Sequence, residues 1–232
     1  MRTIAETGST NADLIGLAAT GASEGLWLRA ERQTAGRGRQ GRAWQSPPGN
    51  LYASTLVRLR ATDPPPATLA LVAAVALEAA VAAYLGEARA TLKWPNDLLL
   101  DGAKLSGILL ERAGDAIVIG FGVNLAHHPT DLDRPATSLA AQGVATDPDD
   151  FLATLAENVA FWLARWRGEG LAPVRDRWTA RAHPSGTALT ARLPDGSAID
   201  GLFDRLDGDG ALILRLADGG RCVIHAGDVF LI

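Results

Sequence analysis

The 232-residue chain is long enough for a full catalytic domain plus a smaller one, and its 47% hydrophobic and 21% charged residues are those of a globular protein. A net charge of −4 removes any whole-protein attraction to nucleic acid or anionic membrane, so an anion site must come from a local basic cluster. The single cysteine, Cys222, allows no internal disulfide and no Cys-based zinc site, which points to a reducing cytoplasm and, between Arg221 and Val223, to a plain buried thiol on a strand.

The first residues, MRTIAETGSTN, contain no apolar signal core. Ser9-Thr10-Asn11 precedes a helix-periodic run (Leu14, Ile15, Leu17, Ala18) that Gly21 ends, so a short capped helix is predicted. Residues 26–32 read as a strand, and a polar Gly- and Arg-rich stretch from Gln33 to Asn50 separates it from a second strand at Leu51–Leu59. After Pro64-Pro65-Pro66 comes the Ala-rich segment Ala67–Leu85. It approaches the ~20 residues that span a bilayer, but alanine contributes little transfer energy and Glu78 lies at its middle, so a buried core helix is predicted and no membrane partner. Residues 88–124 read as a β-meander with turns at Pro95-Asn96-Asp97, Asp101-Gly102 and Ala113-Gly114-Asp115. Phe151, Leu155, Val159, Trp162 and Trp166 mark an amphipathic helix whose tryptophans belong to the core.

From Gly186 to Ile232, short alternating strands are separated by Asp195-Gly196, Asp209-Gly210 and Asp218-Gly219. Such a β-unit is too small to hold an enzyme site alone. The expected organisation is a catalytic domain at 1–184 and a small β-barrel domain at 185–232. The expected class is α+β, a mixed and largely antiparallel sheet with helices.

Two clusters carry chemistry. In Gly36-Arg37-Gly38-Arg39-Gln40-Gly41-Arg42 the glycines permit close backbone approach and the guanidinium forks match carboxylate and phosphate. The spacing satisfies G-x-G-x-x-G, but the continuation AWQSPPGN cannot supply the helix that a dinucleotide site needs. A P-loop is excluded too, because Arg42-Ala43 replaces its Lys-Ser/Thr. The second cluster is Lys93-Trp94-Pro95-Asn96-Asp97, followed by Lys104 and Ser106-Gly107. Turn chemistry alone explains Pro-Asn-Asp, but not the lysines at both ends. Gly120-Phe121-Gly122-Val123-Asn124 closes the next strand with two glycines and an amide, a pattern of close ligand approach. His127-His128-Pro129 lacks a third ligand at a recognisable spacing and reads as a surface turn.

Taken together, Ser9-Thr10-Asn11, Gln33-x-x-Gly36-Arg37-Gly38-Arg39-x-Gly41-Arg42-x-Trp44, Lys93-Trp94-Pro95-Asn96-Asp97, Lys104-x-x-Gly107-Ile108 and Gly120-x-Gly122-x-Asn124 resemble the biotin–protein ligase family. The resemblance implies a class II synthetase-like catalytic domain and a C-terminal Src-homology-3-like β-barrel. It also implies a two-step reaction, in which biotin and Mg-ATP give biotinyl-5′-AMP and pyrophosphate, and the biotinyl group then passes to a lysine of a biotin carboxyl carrier protein of acetyl-CoA carboxylase or a related carboxylase. Only eight residues precede Ser9, so the regulatory branch's DNA-binding domain is not carried over. DNA is not an expected partner, and the chain is expected as a monomer or homodimer.

By the same resemblance Lys104, Arg37, Arg39 and Asp97 serve catalysis. Ser9, Thr10, Asn11, Gln33, Gly36, Arg37, Gly38, Arg39, Lys104 and Gly107 meet biotin, and Arg39, Arg42, Trp44, Lys93, Asn96, Lys104 and Asn124 meet ATP. Asp97 is left with two readings, Mg2+ or the incoming lysine. The need for cations is physical, since two like unit charges 4 Å apart repel by roughly 4 kcal/mol at an effective dielectric near 20. A lipoate or octanoate ligase of related fold, a biotin-sensing repressor, a catalytically dead binding module and an unspecified nucleotide-binding protein are the rival readings.

Overall fold

The computed structural model describes residues 1–86, 89–131 and 134–231, so Ala88, at the start of the predicted meander, and Ile232, at the end of the β-unit, lie outside the described residues. Strand β1 (Arg2–Thr7) leads into helix α1 (Thr10–Ala19), then β2 (Trp27–Gln33) and β3 (Leu51–Arg58). Helix α2 (Leu69–Leu85) precedes the meander β4 (Ala90–Lys93), β5 (Asp97–Leu100), β6 (Ala103–Ala113) and β7 (Ala116–Val123). Helices α3 (Pro148–Glu169) and α4 (Ala172–Arg181) follow. The chain ends in β8 (Ala188–Arg192), β9 (Ala198–Leu206), β10 (Leu212–Arg215), β11 (Arg221–Ile224) and β12 (Asp228–Leu231).

The first seven strands form one sheet in the order β1-β2-β3-β7-β6-β5-β4. Only β1 and β2 run parallel, with α1 as the crossover between them; every other pairing is antiparallel, as the hairpin turns predicted. Strand alternation divides the sheet into two faces. On β7, Ile117, Ile119, Phe121 and Val123 join α2, α3 and α4 in the main core. Ala116 and Val118 lie on the opposite face under α1, packed with Leu14, Ala18, Leu28 and Leu56. Gly120 and Gly122 continue that second face, where the absence of side chains leaves the sheet bare.

Helix α2 with the turn before it, Pro66–Leu85, is long and apolar enough to cross a membrane, yet it lies mostly inside the protein against α3 and α4. Its Glu78 is fully buried and meets Arg177 at 2.8 Å and Arg181 at 3.3 Å, both from α4. Phe151, Leu155, Val159, Trp162 and Trp166 are buried as the periodicity predicts, and Trp166 Nε1 donates to Thr68 Oγ1 at 2.8 Å.

The second sheet is five-stranded and antiparallel, order β11-β10-β9-β8-β12, and it packs on the first part of the chain through Trp178 against Phe203. Trp94 Nε1 donates to Gly210 O at 3.3 Å across the same junction. Cys222 sits on β11, at the edge of this sheet, on the same side as the buried Ile224, and is half-buried rather than enclosed. At the end of α4, burial and the nearby Lys93 charge hold the His183 imidazole below its usual value near 6.5. A depressed folded-state value means that the unfolded chain binds the proton more readily, so stability falls as pH drops through and below that usual value. Chemical denaturation between pH 7.5 and 5.5 should show this loss, and His183→Gln should flatten the slope over the same interval; an unchanged slope would remove His183 as its cause.

Candidate functional site

A cavity of about 370 Å³ opens on the bare face of the first sheet. Its floor is made by Gly107 and Leu109 of β6 and Gly120 and Gly122 of β7, with Gly107 and Gly122 directly opposite each other. Each glycine is used. A Cβ on Gly120 would lie 2.2 Å from Asn11 Oδ1, and one on Gly122 would lie 2.5 Å from Trp44 Cε2. A Cβ on Gly107 would press on Trp44 at 3.2 Å and Lys104 Nζ at 3.4 Å.

Lys104 reaches this face because of a bulge. Leu98 pairs with Ser106 but Leu99 pairs with Lys104, so Leu105 is the extra residue on β6 and resets the alternation. Lys104 then shares the face of Gly107. Its Nζ meets Asp97 Oδ1 at 2.6 Å, while Lys93, directly opposite Asp97 in the hairpin, approaches Oδ2 at 3.6 Å. Burial holds the Lys93 ammonium below the usual lysine range, Asp97 pulls against that, and Arg134 and Lys104 add to the lowering.

The Arg-rich segment is a tight hairpin. Arg37 and Ala43 form a bridge, the Gly38 N–H donates to Arg42 O at 2.7 Å, and the Trp44 N–H donates to Gly36 O at 2.9 Å. Gln40 (φ 55) and Gly41 (φ 72) turn its tip through the left-handed region. Trp44 lies across Gly107 and Gly122, its ring centroid 5.6 Å from Lys104 Nζ and its Nε1 buried without a protein partner. The hairpin is clasped from the second sheet: Arg39 donates to Gly227 O at 3.0 Å and to Asp228 Oδ1 at 3.3 Å, and Arg42 pairs with Asp228 Oδ2.

The two ends of the cavity differ in character. At one end the lining is neutral and polar: the Thr10 N–H donates to Gln33 Oε1 at 2.9 Å, and Asn11 and Ser9 lie beside it. At the other end stand Lys93, Lys104 and the Arg hairpin. Among the described residues Arg37, Arg39, Arg42, Lys93, Lys104 and Arg134 line the cavity against two carboxylates, Asp97 and Asp228. A chain of net charge −4 thus concentrates cations at one place, which suits a polyanionic ligand.

Of the residues singled out from sequence, Ser9, Thr10, Asn11, Gln33, Arg37, Gly38, Arg39, Arg42, Trp44, Lys93, Asn96, Asp97, Lys104 and Gly107 all line this one cavity. Gly36 and Asn124 do not. Gly36 is enclosed by Trp44 O and Ser46 Oγ, each 2.9 Å from where its Cβ would stand, so it closes the hairpin instead. Asn124 donates from Nδ2 to Thr137 O at 3.0 Å, bracing the segment that pairs with the Lys104 backbone through Lys104 N to Pro135 O at 2.8 Å. Asn96 spends its amide on Ile108 O at 2.6 Å and so fixes the turn that carries Asp97. Sequence reasoning missed Arg134, Asp228 and Val229, which arrive from distant segments with no local motif around them.

A resident metal does not fit here. Both Asp97 oxygens face lysines, and among the described residues no three His, Cys, Asp or Glu side chains come together as a metal site.

The model of the biotin/lipoate A/B protein ligase family matches residues 9–124. Over 98% of its length the chain is 41% identical to the biotin–[acetyl-CoA-carboxylase] ligase of Paracoccus denitrificans, of which the match covers 98%. It is 38% identical, over 97% of its length, to the enzyme of the same name from Mycobacterium tuberculosis, covering 86% of that protein. Among solved structures, the biotin protein ligase from Aquifex aeolicus in complex with biotin and ATP superposes with a TM-score of 0.89 at 25% identity, covering 100% of this chain and 98% of that one.

Proposed function

The chain belongs to the biotin/lipoate A/B protein ligase family, and from that premise we infer that it is an ATP-dependent biotin–protein ligase, activating biotin as biotinyl-5′-AMP and passing it to a carrier protein of acetyl-CoA carboxylase. The observation that carries this reading is the two-ended cavity, with neutral hydrogen-bonding groups at one end and six basic side chains at the other.

An uncharged ureido ring needs neutral donors and acceptors, and Ser9, Thr10 and Gln33 supply them. The valerate carboxylate then extends over Gly107 toward Lys104, whose ammonium stands where nucleophile and α-phosphate meet. As the carboxylate oxygen bonds to the α-phosphorus, the bond to pyrophosphate breaks, and the charge on the departing group falls to Arg42 and Lys93. Preorganised cations of this kind act only where charge develops. Trp44 offers its ring face to the adenine. Mg2+ enters as the counterion of the nucleotide rather than as a resident ion of the protein. In the second step Asp97 orients the incoming lysine, whose nitrogen attacks the acyl carbon as AMP leaves. DNA is not among the proposed partners, because the dense arginine segment lines the cavity rather than an outer face.

Mass analysis of a carrier domain incubated with the protein, Mg-ATP and either biotin or lipoate tests this reading. Addition of the biotinyl mass alone is expected, and modification by lipoate alone would assign the protein to the other branch of its family.

Biotinyl-5′-AMP must be shielded from water until the carrier arrives. Arg37 and Arg42 are exposed on the hairpin, which is held by the contacts of Arg39 and Arg42 with Gly227 and Asp228 and by its own short backbone pairings. Trypsin should therefore cut within residues 37–42 of the free protein, and biotin with Mg-ATP should slow that cleavage severalfold. Equal cleavage in both states would show that the hairpin does not close over the intermediate.

A further inference from the structure

Ser54 and Glu111 lie behind the neutral end of the cavity, outside its lining, yet both are wired to residues that form it. Ser54 on β3 is fully buried and pairs with Gly120 of β7. Because Gly120 has no side chain, Asn11 of α1 settles over it. There Asn11 Nδ2 donates to Glu111 Oε2 at 2.8 Å, Asn11 Oδ1 accepts from Ser54 Oγ at 2.6 Å, and Ser54 Oγ lies 2.7 Å from Thr10 Oγ1.

The direction of every proton in this row follows from one end. A carboxylate only accepts, so Glu111 forces the Asn11 amide to present Nδ2 to it and Oδ1 to Ser54. An amide oxygen cannot donate, so the single Ser54 hydroxyl proton goes to Asn11. The Thr10 hydroxyl stands 2.7 Å from Ser54 Oγ and 3.1 Å from Gln33 Oε1; because Ser54 has given its own proton to Asn11, the shorter contact takes the Thr10 proton, leaving Thr10 Oγ1 as an acceptor toward the cavity. Gln33 is fixed in parallel: its Oε1 takes the Thr10 N–H, so its Nε2 is a donor.

We propose that Ser54 and Glu111 are positioning residues that set the hydrogen-bond polarity of the acid-binding end, making Thr10 an acceptor for a ring N–H and Gln33 a donor for the adjacent carbonyl. That pattern is the complement of a cyclic urea and gives a hydrocarbon or dithiolane ring nothing. The proposal rests on the reading of biotin as the substrate. A row of bonds pointing one way and ending on a carboxylate also strengthens each member.

The test compares the parental protein with Ser54→Ala, Glu111→Leu and Glu111→Gln in adenylate formation, using biotin and the two cyclic carbamates in which one ring N–H is replaced by oxygen. Ser54→Ala and Glu111→Leu should raise KM for biotin roughly three- to tenfold, the range of one misdirected neutral hydrogen bond, with KM for ATP unmoved. Both should also narrow the parental preference for urea over one of the carbamates, since a released Thr10 hydroxyl can donate. Glu111→Gln keeps an acceptor oxygen and should stay near the parental values. If Ser54→Ala does not fold, Glu111→Leu, at the half-exposed end of the row, carries the same readouts. A joint rise in both KM values, or an unchanged urea-to-carbamate ratio in the folded variants, would overturn the proposal. A parental protein that binds no biotin would instead sink the function on which it rests.

Discussion

Replacing Lys104 by alanine should lower the rate of biotinyl-5′-AMP formation by about 10²–10³, the usual cost of removing one preorganised charge at a reacting centre. The fold should be unaffected. The Lys104 side chain is one-third exposed, its backbone is held by the 135–137 segment and the bulge, and Asp97 keeps Lys93 as a partner when Lys104 is gone. The loss should therefore appear in kcat for pyrophosphate release, with an unchanged unfolding midpoint. Lys104→Arg should recover little, because a planar fork does not replace a compact ammonium between two anions. Adenylate formation by Lys104→Ala at the parental rate would remove this residue from catalysis.

The largest effect on stability should come from Glu78. It is the one carboxylate fully buried among the described residues of α2, and it answers two arginines of α4, so it ties the two helices together. Glu78→Ala does not weaken the helix by propensity, since alanine is the best helix former. It removes the carboxylate that Arg177 and Arg181 meet at the buried face of α2. Breaking a buried pair by removing one partner costs about 3–5 kcal/mol, and the lower end applies because both arginines retain some exposure. A loss of roughly 3 kcal/mol corresponds to a fall of roughly 6–12 °C in midpoint for a chain of this size. Thermal and urea unfolding would measure it, and a change under about 1 kcal/mol would mean that the arginines reach water at no cost.

Residues with strong local chemistry were the ones legible in the sequence. Asp101-Gly102 and Ala113-Gly114-Asp115 placed the hairpins of β5, β6 and β7, and the period of Phe151 to Trp166 placed α3. Glu78, at the middle of an apolar run, was the mark of a core helix, and its ion pairs show why a charge is tolerated there. Two elements were not legible. Strand β1, RTIAET, is mostly exposed along its length, so burial imposes no hydrophobic pattern on it, and its pairing with β2 is parallel and depends on α1 rather than on a turn. Helix α4 buries only Val174 and Trp178, too few to print a period.

The site divides in the same way. Glycines and arginines at close spacing announced an anion-binding loop, and the Lys93–Lys104 segment announced charges for an anionic ligand, though not that Asp97 pairs with both lysines. That Lys104 faces the cavity depends on a bulge at Leu105 that no residue there signals. Asp228 could not be found, because its role exists only when β12 is laid beside the Arg hairpin. Asn124 matched a motif but its amide is used to brace the backbone near Lys104, which shows that a motif residue and a ligand-touching residue are different things.

The most direct measurement is a single reaction of the purified protein with biotin, Mg-ATP and a biotin-carrier domain, following pyrophosphate and the mass of the carrier together. The geometry described above predicts biotin-dependent pyrophosphate release without the carrier and, on its addition, one biotinyl group on one lysine. Pyrophosphate that does not depend on biotin, or a carrier whose mass stays unchanged while the protein is folded and saturated, would contradict it.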